Sequence, residues 1–207
     1  MKIAHGLPDN SKTEQEKLIQ QGWNPLKEPD SFLTAVVLSI PLMFLNAWAG
    51  VFIIKSVSTL TFAEFGLTKD GFVASIGIIQ VILFFLTIVV HELLHLVCIP
   101  HFLKSKKTYI GFTFFGGYVS SEEQLSKARF ALISLCPFLA LSVLLPLGLG
   151  MMGWLTPTLK FLIIFNAISS CVDILGLLLV LTQIPKNSVI KNNGTKTFWK
   201  AGKGMQV

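Results

Sequence analysis

Long apolar stretches alternate with short polar ones along the chain. Four apolar runs stand out, at residues 32–54, 71–100, 127–150 and 158–184. Each approaches or exceeds the roughly twenty residues a helix needs to cross the hydrocarbon core of a bilayer. Pro41, Gly50, Pro137 and Pro146 fall inside these runs, which membrane helices tolerate because freed backbone groups find other partners. The second run is long for one crossing, so it must tilt or project. The pattern predicts an all-α membrane protein of about four transmembrane helices. A short extended or re-entrant segment is expected between the second and third. That connector, residues 101–127, begins basic with Lys104, Lys106 and Lys107 and continues as TYIGFTFFGGYVSS. Its aromatics, glycines and partial period-two alternation favour an extended chain.

The polar stretches complete the division. Residues 1–31 form an N-terminal segment. Within it, residues 11–21 predict a short surface helix ending near Gly22, and Pro25 and Pro29 break the chain before the membrane. Residues 55–71 carry Lys55, Glu64, Lys69 and Asp70 around an apolar centre suited to the membrane interface. Residues 185–207 form a basic, glycine-containing tail, expected to be poorly ordered. The expected organisation is thus an N-terminal segment (1–31), a membrane-embedded body (32–184) and a tail (185–207), with no internal repeat.

Composition supports lipid as the main solvent. Hydrophobic residues make up 52% and charged residues 14%, and the mean hydropathy is +0.67. The net charge of +6 sits in loops and tails beside apolar runs, where it sets topology; nucleic acid is not an expected partner. With four crossings, the N-terminus, the 101–127 connector and the tail share one side. That side holds most of the Lys and Arg, whereas the other has Lys55, Lys69 and Lys160. The positive-inside rule therefore predicts a multi-pass cell-membrane protein with both termini cytoplasmic. The N-terminal segment lacks the basic start and apolar core of a signal peptide, so the first crossing is expected to remain as an uncleaved anchor. Cys98, Cys136 and Cys171 all lie in apolar runs and do not suggest a disulfide framework.

The chemistry concentrates at residues 91–95, His-Glu-Leu-Leu-His. On a helix, His91 and His95 share a face and can hold one metal ion, with Glu92 beside them as general base on an activated water. Two imidazoles and a carboxylate with an open fourth position suit Zn2+ in a hydrolase. The motif lies inside an apolar run, where unpaired polar groups cost several kcal/mol. Asp173 is the candidate third ligand: it is the acidic residue within the fourth run, where an intramembrane acid marks function. Depth agrees, since His91 precedes Lys104 by as many residues as Asp173 precedes Lys186. Cys98 and His101 are the alternatives. Asn166, seven residues before Asp173, can lie on the same helix face, as an oxyanion donor or as a helix-packing residue.

An intramembrane HExxH followed by an Asp on a later span resembles the site-two protease class of intramembrane zinc metalloproteases. The nearest resemblance is to small bacterial membrane proteins grouped as zincin peptidases. It covers roughly residues 70–180 and rests on HELLH, FGGYVS at 115–120, ARFALISLCPFL at 128–139 and NAISSCVDILG at 166–176. That class usually places Gly directly after Leu-Asp; here Val172-Asp173 is followed by Ile174, with Gly176 further on. The resemblance implies zinc held by His91, His95 and Asp173, with Glu92 as base. It implies hydrolysis of peptide bonds in membrane-spanning or membrane-associated protein or peptide substrates. In such enzymes a strand pairs with the locally unwound substrate. Residues 108–119 could serve, with Gly116 and Gly117 allowing a bend near the metal; a re-entrant loop filling the bundle is the other reading. The reading from a different class is a non-enzymatic membrane protein that binds or transports a metal. Glu92 beside the first His favours hydrolysis, because transport does not need it.

Overall fold

The computed structural model describes residues 2–5, 10–73, 76–105, 108–113 and 116–202. Lys106, Lys107, Phe115 and Lys203, which entered the topology and motif arguments, lie outside these. The chain is mostly helical, and four helices are long and apolar enough to cross a membrane: Ile40–Val57, Ile78–Cys98, Lys127–Met151 and Pro157–Gln183.

Strand β1 (Lys2–His5) precedes helix α1 (Lys12–Gln20). The Ser11 hydroxyl accepts from the Glu14 N–H at 3.2 Å and opens α1. Gly22 follows its end at φ +79°, a conformation suited to glycine. After β2 (Asn24–Pro25), the first apolar run does not form one helix. It divides into α2 (Phe32–Leu38) and α3 (Ile40–Val57), with Ser39 between them. Pro41 lies in the first turn of α3; it cannot donate to the preceding turn, so the helix restarts there.

The second run also corrects its expectation. Its helix does not begin near Gly71. Residues 67–72 instead form a small hairpin of β3 (Leu67–Thr68) and β4 (Gly71–Phe72), with Gly71 at φ +129°. Helix α4 (Ile78–Cys98) starts after Gly77, whose N–H donates to Gln80 Oε1 at 3.1 Å. Its 21 residues span about 30 Å, one bilayer core with no excess to project.

Within the connector, residues 108–113 and 116–121 are extended, as the pattern predicts. Strands β5 (Thr108–Thr113) and β6 (Gly116–Ser121) pair antiparallel, and β1 adds parallel to β5, so β6 is an edge strand of the β1-β5-β6 sheet. A two-residue strand β7 (Leu125–Ser126) leads into α5 (Lys127–Pro137), a π-helical stretch (Phe138–Leu144) and α6 (Leu145–Met151). The wide register begins after Pro137 and ends just before Pro146. Both prolines lack the N–H that an α-register requires. The last crossing comprises α7 (Pro157–Ser169) and α8 (Cys171–Gln183), joined at buried Ser170.

Residues 185–202 of the tail are ordered, contrary to expectation. Strands β8 (Ser188–Asn193) and β9 (Lys196–Ala201) form a hairpin in a sheet of order β2-β9-β8-β7, turning at Gly194 with φ +61°. Leu18, Trp23 and Phe198 make one buried cluster, and Leu26, Val180, Ile184 and Ile190 another. Burial of these apolar groups is what orders the tail. The N-terminal segment, the connector and the tail thus share sheets at one end of the bundle. On the bundle itself, Phe44, Trp48, Phe52 and Phe85 are exposed, a surface fitted to hydrocarbon. Inside, Gly50 of α3 meets Ala167 of α7 so closely that an added Cβ would lie 3.3 Å from the Ala167 methyl. This small-residue contact brings α7 tight against α3.

Candidate metal centre

His91 and His95 lie one turn apart on α4, with ring centroids 5.0 Å apart. Asp173, in the first turn of α8, joins them. Its Oδ2 lies 3.2 Å from His91 Nε2 and its Oδ1 lies 3.4 Å from His95 Nε2. One ligand atom from each of the three residues falls within 4.8 Å of the others. Four ligands at ~2.1 Å around a tetrahedral ion are ~3.4 Å apart, so the His–Asp spacings fit zinc. The depth match between His91 and Asp173 corresponds to this meeting.

The far side of each imidazole is engaged. His91 Nδ1 meets Asn166 Oδ1 at 2.9 Å, and His95 Nδ1 meets the Ile133 carbonyl at 2.8 Å. A carbonyl only accepts, so His95 carries a proton on Nδ1, which leaves Nε2 as the nitrogen that faces Asp173. Asn166 enforces the same on His91. Its amide nitrogen donates to the Pro137 carbonyl at 3.3 Å and to Ser142 Oγ at 2.8 Å. That leaves Oδ1 as the atom facing His91. Neutral imidazoles with Nδ1–H donated outward and Nε2 lone pairs converging are the form that ligates a metal.

Proline explains why the Ile133 carbonyl is free. In an α-helix the Ile133 carbonyl would accept from residue 137, but Pro137 has no N–H. His95 fills that vacancy. The π-helical stretch that follows brings Ser142 to Asn166, and Ser142 Oγ itself donates to the Ile163 carbonyl at 3.1 Å. The sequence reading did not identify Ile133, Pro137 or Ser142. A proline four residues after Ile133 was the available signal.

Asn166 differs from one of its expected roles. It is 1% exposed and both amide hydrogens are used, so none remains for a developing oxyanion. It orients His91 instead. The alternative ligands are not brought together with the imidazoles: Cys98 and His101 line a separate pocket with Lys104 and Arg129.

Glu92 lines a cavity of about 450 Å³ together with His91, His95 and Asp173. Among the described residues, no hydrogen bond holds its carboxylate. Gly117, Tyr118 and Val119 of β6 contribute to the wall, as do Asn192 of β8 and Thr197 of β9. Gly116 pairs with Thr113 at the start of β6 and Gly117 with Phe112, so the two glycines open the edge strand that lines the cavity. At the water end, burial raises the Tyr118 phenol above its ordinary pKa.

The family model described as "Putative zincin peptidase" matches residues 84–189, half of the chain. No curated protein and no solved structure matches it.

Proposed function

The chain belongs to the zincin peptidase family, and from that premise we propose that it is an intramembrane zinc metallopeptidase resembling the site-two protease class. His91, His95 and Asp173 hold the ion. When bound, zinc supplies a Lewis acid that acidifies a water and polarises the scissile carbonyl. Glu92 takes a proton from the attacking water and returns it to the leaving amine, the work of a general base and then acid. Asn166 and the Ile133 carbonyl keep the imidazoles in the ligating tautomer. One observation carries the reading: three ligand side chains converge within a membrane-length helix bundle while Glu92, next to them, lines a cavity with no hydrogen bond among the described residues.

The substrates are membrane-spanning or membrane-associated polypeptides. A transmembrane helix hides its peptide groups in its own hydrogen bonds, so a bond can be cut only where the helix is unwound. The edge strand β6 offers such a segment a strand to pair with, with Gly116 and Gly117 keeping side chains away from the approach. Both termini face the cytoplasm.

Glu92→Gln separates hydrolysis from mere metal binding or transport. Zinc content of the purified variant should match wild type, while cleavage of substrate should fall at least ~100-fold. A Glu92→Gln protein that still cleaves, or a wild type that moves zinc across vesicles without hydrolysing any peptide, contradicts the reading.

A further inference from the structure

The cavity at the metal ligands is lined in part by Asn192 and Thr197 of the C-terminal hairpin, which lie beyond the stretch the family covers. Asn192 and Thr197 are directly paired across β8 and β9, so their side chains leave the same face of the hairpin. Their states differ. Thr197 is committed to the N-terminal segment: its N–H donates to Glu28 Oε2 at 2.9 Å, and its hydroxyl also bonds Glu28. Asn192 Oδ1 is buried and meets no donor among the described residues. A buried carbonyl oxygen without a donor is costly, and a turn of the Asn192 carboxamide toward the cavity that this residue lines lets another molecule supply the donor.

The hairpin is firmly held. Lys191 Nζ pairs with Glu14 at 3.0 Å, and Asn193 Nδ2 donates to the Ser11 carbonyl at 2.9 Å. The Thr195 N–H donates to Asn10 Oδ1 at 2.8 Å. These ties bracket Asn192 and fix it on a rigid element, as a positioning group requires. The expected ligand is a polypeptide in extended form, because an unwound strand has free N–H groups and a helix does not.

We propose that Asn192 is a substrate-positioning residue, its carboxamide oxygen accepting a hydrogen bond from a backbone N–H of the extended polypeptide in the cavity, so that the C-terminal hairpin forms part of the substrate cleft. This rests on the peptidase reading of the site. It predicts a preference for substrates already unwound near the cleavage point.

The test uses the full chain in detergent micelles with zinc and fluorescein-labelled β-casein, an unfolded polypeptide, as probe. Asn192→Ala should raise KM about three- to tenfold, the loss of one hydrogen bond, with kcat and zinc content near wild type. Asn192→Ser, a second truncation compatible with a strand, should behave alike. Asn192→Asp keeps the acceptor and should stay within about twofold of wild type. Unchanged KM in both truncations, or Asn192→Asp losing as much as Asn192→Ala, overturns the inference. So does loss of zinc in the truncations, which would place Asn192 in the metal site instead. The same probe titrated onto Glu92→Gln protein by fluorescence anisotropy reads binding without turnover. Asn192-dependent binding with no cleavage by wild type overturns the peptidase reading alone. Cleavage with Asn192-independent binding overturns this inference alone, and so does no binding at all.

Discussion

The membrane bundle and the sheet-forming chain ends use the same amino acids in opposite ways. On the bundle, large apolar side chains such as Phe44, Trp48 and Phe85 face outward, while the polar groups His91, His95, Asn166 and Ser142 turn inward and bond one another or the backbone. At the chain ends, Leu18, Trp23 and Phe198 are buried, while Lys12, Lys17, Lys27, Lys186 and Lys200 are exposed and Lys191 pairs with Glu14. The reason is the solvent. In hydrocarbon, apolar packing has little driving force and buried polar bonds fix the arrangement. In water, apolar burial provides the force. A truncated apolar side chain should therefore damage the chain ends most, and a truncated polar one the bundle.

Phe198→Ala tests the first half and carries the largest effect. Its side chain is buried with Leu18 and Trp23, and removing a buried phenyl costs about 3–5 kcal/mol. The hairpin amides of β8 and β9 should lose hydrogen-exchange protection, while α4 and α7 amides and zinc content stay as in wild type. Loss of zinc alongside the hairpin would show that the two regions are one cooperative unit.

Asn166→Ala tests the second half, with a smaller effect. Nothing apolar of size is removed, yet His91 loses the partner that fixes its tautomer. Zinc affinity by competition with a chelator should fall about 10- to 100-fold, with the fold retained. Unchanged affinity would reduce Asn166 to a packing residue.

The smallest effect is a pH dependence at the chain ends. Burial pushes the Glu28 carboxyl above its ordinary pKa, against the lowering from its bonds to Thr197 and from Lys196. The folded form then holds the proton more tightly than the unfolded chain. This group's contribution to stability is full below the unfolded pKa and is lost as pH rises through the folded one. Hairpin protection should decline slightly over that rise, and Glu28→Gln should flatten the decline. An increase with pH would reverse the sign.

The same contrast sets what was legible in the sequence. Four apolar crossings and HELLH stand out because polar groups are rare in apolar runs, and Asp173 stands out for the same reason. Asn166 was found by its spacing from Asp173, but its bonds depend on the Pro137 carbonyl and the Ser142 hydroxyl, which no side-chain pattern reveals. Pro137 signalled the anchor of His95, by leaving the Ile133 carbonyl without its helical partner. The break at Ser39 and the late start of α4 were hidden because hydropathy does not distinguish an apolar helix from an apolar turn; Pro41 and Gly71 were the local signs. The tail misled because its lysines suggested a solvated coil. Its Gly194-Thr195 loop, with Gly first between Val189-Ile190 and Phe198-Trp199, is a hairpin signature.

The central claim is a metal centre of two imidazoles and one carboxylate. Zinc-edge X-ray absorption on the purified, zinc-loaded protein tests it most directly. The account predicts a first shell of nitrogen and oxygen at ~2.0–2.2 Å with two imidazole contributions and no sulfur, and loss of that ordered shell in Asp173→Asn. A sulfur scatterer at ~2.3 Å, or a shell unaltered by Asp173→Asn, would contradict it.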